Sequence, residues 1–448
     1  MNIHRPRSFF AIFCVLVWAV SGVSGQSHRP ALGIFEDHGD VGTVLHAGTA
    51  TFDAAKRAYT ITGSGDDMWF GEDDFHFAWK KVSGDVAISA DVSFAGEKGN
   101  NHRKAVLMIR QSLDGNSAAV DIARHGDGLT SLQFRDAVGD NTHEVQSNLA
   151  APTRVRLEKR GDFFYAFVTG KSGKLEPAGA SVKLTLTGPF YIGIGVCSHD
   201  KDATQTAVFS NVKLDTLKAS DKKSVLYSTL ETVPIDTGDR RVAYVAVAHF
   251  EAPNWSRDGS YFLFNQDGAI YRLAVSGGAP ARVNTGSQTQ CNNDHGISPD
   301  GSMLAVSDST EAKKSIVYTL PIAGGTPKKI TTNAPSYWHG WSPDGSTLTF
   351  TGQRPDGGTE NFDIYAIPVG GGEEKRLTTA AGLDDGPEYS PDGQWIYFNS
   401  ERTGTMQIWR MHADGSNQEQ VITSETNDWS HTFHPTPNGW SISVMRKA

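Results

Sequence analysis

The sequence predicts an all-β protein: an N-terminal β-sandwich of jelly-roll type, then a C-terminal β-propeller of about five visible blades. Three observations carry this. The 448 residues include 47 Gly, 22 Phe, 12 Tyr and 10 Trp, a mix of turn formers and aromatics that suits strands and tight turns. Residues 30–216 fall into short runs of period-two alternation, which put one face of a strand into a core and leave the other wet. From residue 225 onward a turn motif returns at nearly constant spacing, the mark of a repeat architecture.

Residues 1–25 read as a secretory signal. His4, Arg5 and Arg7 form a positive start, Phe9 to Val20 is apolar but too short to span a bilayer, and Val23-Ser24-Gly25 supplies small residues for cleavage. An uncleaved anchor is the alternative; Cys14 lies inside the apolar stretch rather than after it, which argues against a lipoprotein. With no second apolar segment, the mature chain is expected to carry no transmembrane segment and to be periplasmic or secreted. The net charge of −9 and the lack of a basic run exclude a nucleic-acid partner. Of three cysteines, Cys197 and Cys291 fall in different predicted domains and are expected to be free, with no redox or metal spacing.

In the first domain the alternating runs cover 86–94, 105–110, 117–122, 153–159 and 163–168, separated by turn clusters at 114–116 and 125–128. The segments Asp74-Phe75-His76-Phe77-Ala78-Trp79, Ser83-Gly84-Asp85-Val86 and Lys104-Ala105-Val106-Leu107-Met108-Ile109-Arg110, with Val208-Phe209-Ser210-Asn211-Val212, resemble the concanavalin-A-like or laminin-G-like jelly rolls of exported bacterial proteins. The resemblance covers most of 32–216. It implies a lectin-type sandwich, often an accessory module for glycans. Asp66, Asp67, Glu72, Asp73 and Asp74 are candidate calcium ligands, set against a plain solvated acidic loop. Trp69, Phe70, Phe75, Phe77 and Trp79 are read as core rather than as a sugar platform. Residues 217–224, short and charged, are the expected interdomain linker.

Residues 225–448 carry the repeat. Ser256-Arg257-Asp258-Gly259, Ser298-Pro299-Asp300-Gly301, Ser342-Pro343-Asp344-Gly345 and Ser390-Pro391-Asp392-Gly393 align, with a degenerate Thr436-Pro437-Asn438-Gly439. The Asp/Asn positions stand 42, 44, 48 and 46 residues apart, the length of one four-stranded blade. Pro presets φ, Asp bonds its own backbone, and Gly takes the positive φ of a hairpin turn. The repeats resemble those of TolB-like (PD40/WD40-like) propellers. That resemblance implies a fold used for protein binding, and in related propellers for peptidase gating or polysaccharide cleavage. TolB-type rings have six blades. Here 225–247 read as two outer strands that would join the two strands of 428–445 to close a ring of five; the alternative is an incomplete ring, and the cut-short tail fits a chain shortened from a six-bladed one.

The segments entering each inner strand are polar and, because the repeats align, converge on one mouth of the channel. The candidate ligand-binding residues are Glu251, Asn254, Asn293, Asp294, His295, Tyr337, His339, Asp384, Asp385, Glu388, Asn427, Asp428 and His431. Three readings stay open: structural turn capping; a site for an oligosaccharide or an envelope protein, with Tyr337, Trp338 and Trp429 as stacking faces; and an enzyme, with His295 and His339 as metal ligands or as acid and base beside nearby carboxylates. No cofactor is certain. A divalent metal at the mouth, or calcium in the sandwich, is the candidate. No Gly-x-Ser-x-Gly elbow, phosphate loop or zinc spacing occurs. The expected function is that of an exported, non-catalytic binding protein with a lectin-like accessory domain. The alternative is a secreted carbohydrate-active lyase or hydrolase whose propeller is catalytic.

Overall fold

The computed structural model describes residues 32–447 apart from 180, 219–224, 235, 357–358 and 437–438, with side chains to 429 apart from 356–360. The expected signal, most of the expected linker, the Pro437-Asn438 pair of the fifth turn and the side chain of His431 lie outside the described residues. The chain is all-β, and among the described residues no helix is long and apolar enough to cross a membrane.

Two sheets build the N-terminal unit. One has eight strands and is centred on Val86–Phe94, Arg154–Arg160 and Gln205–Thr216. The other has nine, with Phe75–Val82, Phe190–Cys197, Lys104–Arg110 and Ala119–His125 side by side. Their alternating residues meet in one core: Ile88, Leu157, Phe164 and Phe209 from the first sheet against Leu107, Ile109, Ile122, Ile192 and Ile194 from the second. The nine-stranded sheet buries its other face as well. Val41, Phe75, Phe77, Val106, Met108 and Cys197 lie there in a second cluster with Met68, from the small hairpin of Met68–Trp69 and Glu72–Asp73.

That hairpin changes the expectation for its residues. Asp73 is 3% exposed and accepts from both terminal nitrogens of Arg135, at 2.7 and 3.0 Å, with Arg110 at 3.4 Å. Asp67 accepts from Lys104 at 2.8 Å, and Asp74 takes the Thr43 amide at 2.6 Å. These carboxylates neutralise buried cations and hold a loop, so the candidate calcium set is largely committed to structure. Of the aromatics expected in the core, Phe75 and Phe77 are fully buried, but Phe70 is 66% exposed. It sits at φ 51° in the hairpin turn, where its carbonyl accepts from Arg135 and Thr142 while its ring points outward. Cys197 and Cys291 are free and buried.

Four four-stranded blades follow. Their inner strands are Phe250–Trp255, Cys291–Ile297, Ser336–Trp341 and Asp384–Tyr389. Each ends in the repeated turn, which has the same bonds every time. The Ser hydroxyl donates to the Asp carboxylate, at 2.7, 2.6, 2.6 and 2.6 Å. The same hydroxyl accepts the amide that opens the next strand, at 3.0, 2.9, 2.9 and 3.0 Å. The Gly sits at φ 71–76°. Ser390 is fully buried, so Ser390→Ala, which strands the Trp395 amide, should lower stability by about 1–2 kcal/mol in a denaturant titration. An unchanged midpoint would mean that the backbone bonds of the turn suffice alone.

The fifth unit departs from expectation. Asn427–Thr436 and Gly439–Lys447 form a separate two-stranded sheet. The strands expected to complete it, Ser228–Thr232 and Arg240–Ala246, instead extend the nine-stranded sheet of the sandwich. Arg240–Ala246 runs parallel to His143–Gln146, pairing Val145 with Arg240 and Gln146 with Arg241. The reason is an available edge with a matching apolar face. Val242 joins the sandwich core, and Asp239 accepts the Glu144 amide at 3.2 Å. The opposite face of the hairpin, Leu230, Ala243 and Tyr244, packs on Phe250 and Phe264 of the first blade.

Candidate functional site in the propeller channel

Every inner strand breaks register at the same relative place: between Glu251 and Asn254, Cys291 and His295, Trp338 and Gly340, and Asp385 and Glu388. A bulge frees residues from the ladder and re-aims their side chains. Four strands bulged in step turn polar groups toward one another around the channel axis.

The groups enclose two adjoining cavities. The wider, about 920 Å³, is walled by Asn254, Arg257, Trp341 and the turn prolines Pro299, Pro343 and Pro391. The narrower, about 300 Å³, is walled by Asn293, Asp294, Asp385, Asn399 and Trp429. His295, Trp338, His339 and Glu388 line both and so form the waist between them. Gly296 is what lets Trp338 lie there: a Cβ on it would stand 2.1 Å from the indole ring.

His339 Nε2 lies 3.2 Å from Asp385 Oδ1, which also accepts from Thr351 Oγ1 at 2.9 Å and the Gly386 amide at 2.9 Å. Burial alone would push the imidazole down, but the Asp385 bond and the charges of Asp294, Asp385 and Glu388 lift it to about 9. Burial works on Asp385 in the opposite sense, and the His339 bond and charge overcome it and hold the carboxyl at about 2. Glu388 is pushed up to about 7 by burial, against the pull of His339 and Arg257. Asp294 is also raised by burial, eased by His339 and reinforced by Asp385. His295 is 4% exposed, and burial lowers it to about 4. Its Nδ1 faces the Asn293 carbonyl at 3.0 Å, so that nitrogen carries the proton and the other is a lone-pair acceptor.

The structure thus brings Asp294, His295, His339, Asp385 and Glu388 together, with Asn254 and Asn293 at the two sides. The other expected residues have partners outside the cavity walls, although Glu251 and Tyr337 stand close enough to couple electrostatically to Asp294. Asp384 is buried and bound to Arg402 at 2.9 Å. Asn427 accepts the Met406 amide at 3.0 Å, and Asp428 the Ser424 hydroxyl at 3.0 Å. Tyr337 packs near Phe362, ring centroids 6.5 Å apart. Glu251 lies 3.7 Å from His249. Sequence reasoning missed Trp341, Arg257, Thr351 and Asn399. The first two abut or occupy the turn motif, and alignment of the positions flanking each turn Ser would have flagged them. Among the described residues no group of three or more His, Cys, Asp or Glu is placed to hold a metal ion.

Comparison with known proteins agrees with the propeller. Residues 309–448 match the TolB β-propeller domain model. An uncharacterised protein of Agrobacterium fabrum is 52% identical over 213 residues, which is 47% of this chain and 71% of that protein. A TolB-assigned structure from Agrobacterium tumefaciens is 50% identical, with 49% of this chain and 77% of that one aligned at a TM-score of 0.46. The crystal structure of TolB from Acinetobacter baumannii is 19% identical, with 49% and 57% aligned at a TM-score of 0.39. Through the repeats that form the four blades and their shared channel, this chain belongs to the TolB-type β-propeller family.

Proposed function

We propose that this is an exported, non-catalytic binding protein. Its propeller channel receives a glycan fragment or a segment of an envelope protein, and the sandwich of residues 30–216, extended by the 228–246 hairpin, acts as a lectin-like accessory domain ahead of the blades that begin at Phe250. The observation that carries the reading is the set of bulges in step, which spends ladder bonds in all four blades to point polar side chains into one two-chambered channel. Turn capping alone would not need them there. The leader-like start of the sequence supports a periplasmic or secreted location. One observation favours an enzyme instead: Glu388, near 7, lines the same waist as His339, the poise expected of an acid–base group.

The test is to probe an array of soluble glycans and envelope-protein peptides with the wild-type chain and with Asp385→Asn. Signals from a channel ligand should fall about tenfold, the loss of one charge-assisted contact. Equal signals from the two proteins across the array would overturn the channel as the binding site. Product release from any captured glycan would favour the enzyme.

A further inference from the structure

We infer that the narrower chamber is a subsite for an organic cation, an alkylammonium or guanidinium group, so that what the channel recognises in its ligand is a basic side chain or amine. The inference rests on the reading of the channel as a binding site and specifies its chemistry.

The chamber's lining carries more negative than positive charge, with Trp338 Nε1 as an unmatched buried donor among its acceptors. Asp294 from the blade before His339 and Asp385 and Glu388 from the blade after it line it, and among the described residues no Lys or Arg does. His339 is the one cationic side chain among them, already shared with Asp385 at 3.2 Å. His295 adds a second kind of acceptor. Its Nε2 is buried and has no hydrogen-bond partner among the described residues, and the Nδ1 contact to the Asn293 carbonyl fixes it as a lone pair. A buried acceptor left unmatched is destabilising, and a guest that brings N–H groups removes that penalty. Trp338 and Trp429 also line the chamber, and indole rings suit a cation. Its volume, about 300 Å³, admits an extended side chain and excludes a folded element. A neutral hydroxyl would match the acceptors but leave the excess negative charge uncompensated, and an anion would be repelled.

The charged groups around His339 are Asp294 from the preceding blade and Asp385 and Glu388 from the following one; Glu251 acts on Asp294 and Arg257 on Glu388. An incoming cation weakens their hold on the imidazolium proton, which leaves for the buffer. Binding therefore releases protons and tightens as pH rises through the ranges of Glu388, about 7, and His339, about 9.

The experiment uses the intact chain and calorimetry in two buffers of different ionisation heat. The probes are spermidine, an end-blocked tripeptide with a central lysine, and its norleucine counterpart. Spermidine and the lysine peptide should bind with proton release, the norleucine peptide should bind at least about tenfold more weakly, and Asp294→Asn should cost about tenfold. A tighter lysine peptide assigns the cation to a polypeptide, and tighter spermidine assigns it to a free amine. Equal binding of the lysine and norleucine peptides, or amine binding without proton release and untouched by Asp294→Asn, overturns the inference as mere adsorption to an acidic protein. If the array yields an Asp385-dependent ligand while every amine fails, the cation subsite falls and the channel reading stands. If neither gives a signal, both fall.

Discussion

Replacing Asp73 with alanine is expected to cost about 3–5 kcal/mol of folding stability, the range for removing one partner of a buried ion pair. Arg135 is 1% exposed and donates to Asp73 through both terminal nitrogens. Arg110, fully buried and lowered by that burial, leans on the same carboxylate. Without it, two guanidinium groups remain inside the sandwich with hydrogen bonds only to neutral groups: backbone carbonyls, the Thr142 hydroxyl and the Met108 sulfur. The Met68–Asp73 hairpin, which covers the second core, loses its anchor. Chemical denaturation with intrinsic fluorescence would read the loss. A drop no larger than that of a surface substitution would show that the Arg135 bonds to Phe70, Ser117 and Asp140 carbonyls carry the site. The variant Asp73→Asn keeps the shape and removes the charge, and should fall between the two.

The second expectation concerns pH. His339 has its pKa raised from 6.5 to about 9 in the folded chain. A raised pKa contributes stability that is complete below the unfolded value and is lost as pH climbs through the folded one. Between about 6.5 and 9 the propeller should therefore lose about 3 kcal/mol, since each tenfold gain in proton affinity on folding is worth about 1.36 kcal/mol. Glu388, raised from 4.5 to about 7, slopes the same way over a lower range. Asp385→Asn removes the partner that holds the proton, and most of the alkaline slope should vanish with it. Denaturant midpoints for both proteins across this window decide the matter. Parallel curves would mean that the imidazole is not charged in the native channel.

How far the sequence went follows from the range of the interactions involved. The turn motif was legible because Ser390, Asp392, Gly393 and Trp395 bond to one another within five residues. Its spacing aligned His295 with His339. What eluded the sequence depends on distant partners. Asp384 and Asp385 are neighbours, yet the pleat sends them to opposite sides. One is captured by Arg402, and the other reaches His339 in the preceding blade. The bulges that decide which of such a pair faces the channel leave no compositional trace. Phe70 looked like core because its ring is large and its neighbours are aromatic, but the Arg135 cluster uses its carbonyl, and the ring is left outside. The fate of 225–247 turned on an open strand edge at His143–Gln146, about a hundred residues away in the chain.

That hairpin has a consequence for any attempt to work with the halves separately. Val242 belongs to the interior of the sandwich, while Tyr244, two residues on, stacks against Phe264 of the first blade at 5.7 Å. A cut at the charged stretch 217–224 would leave one fragment with an uncovered apolar edge and the other with an unanchored first blade. The natural seam between the halves is thus a hairpin whose side chains are shared by both cores.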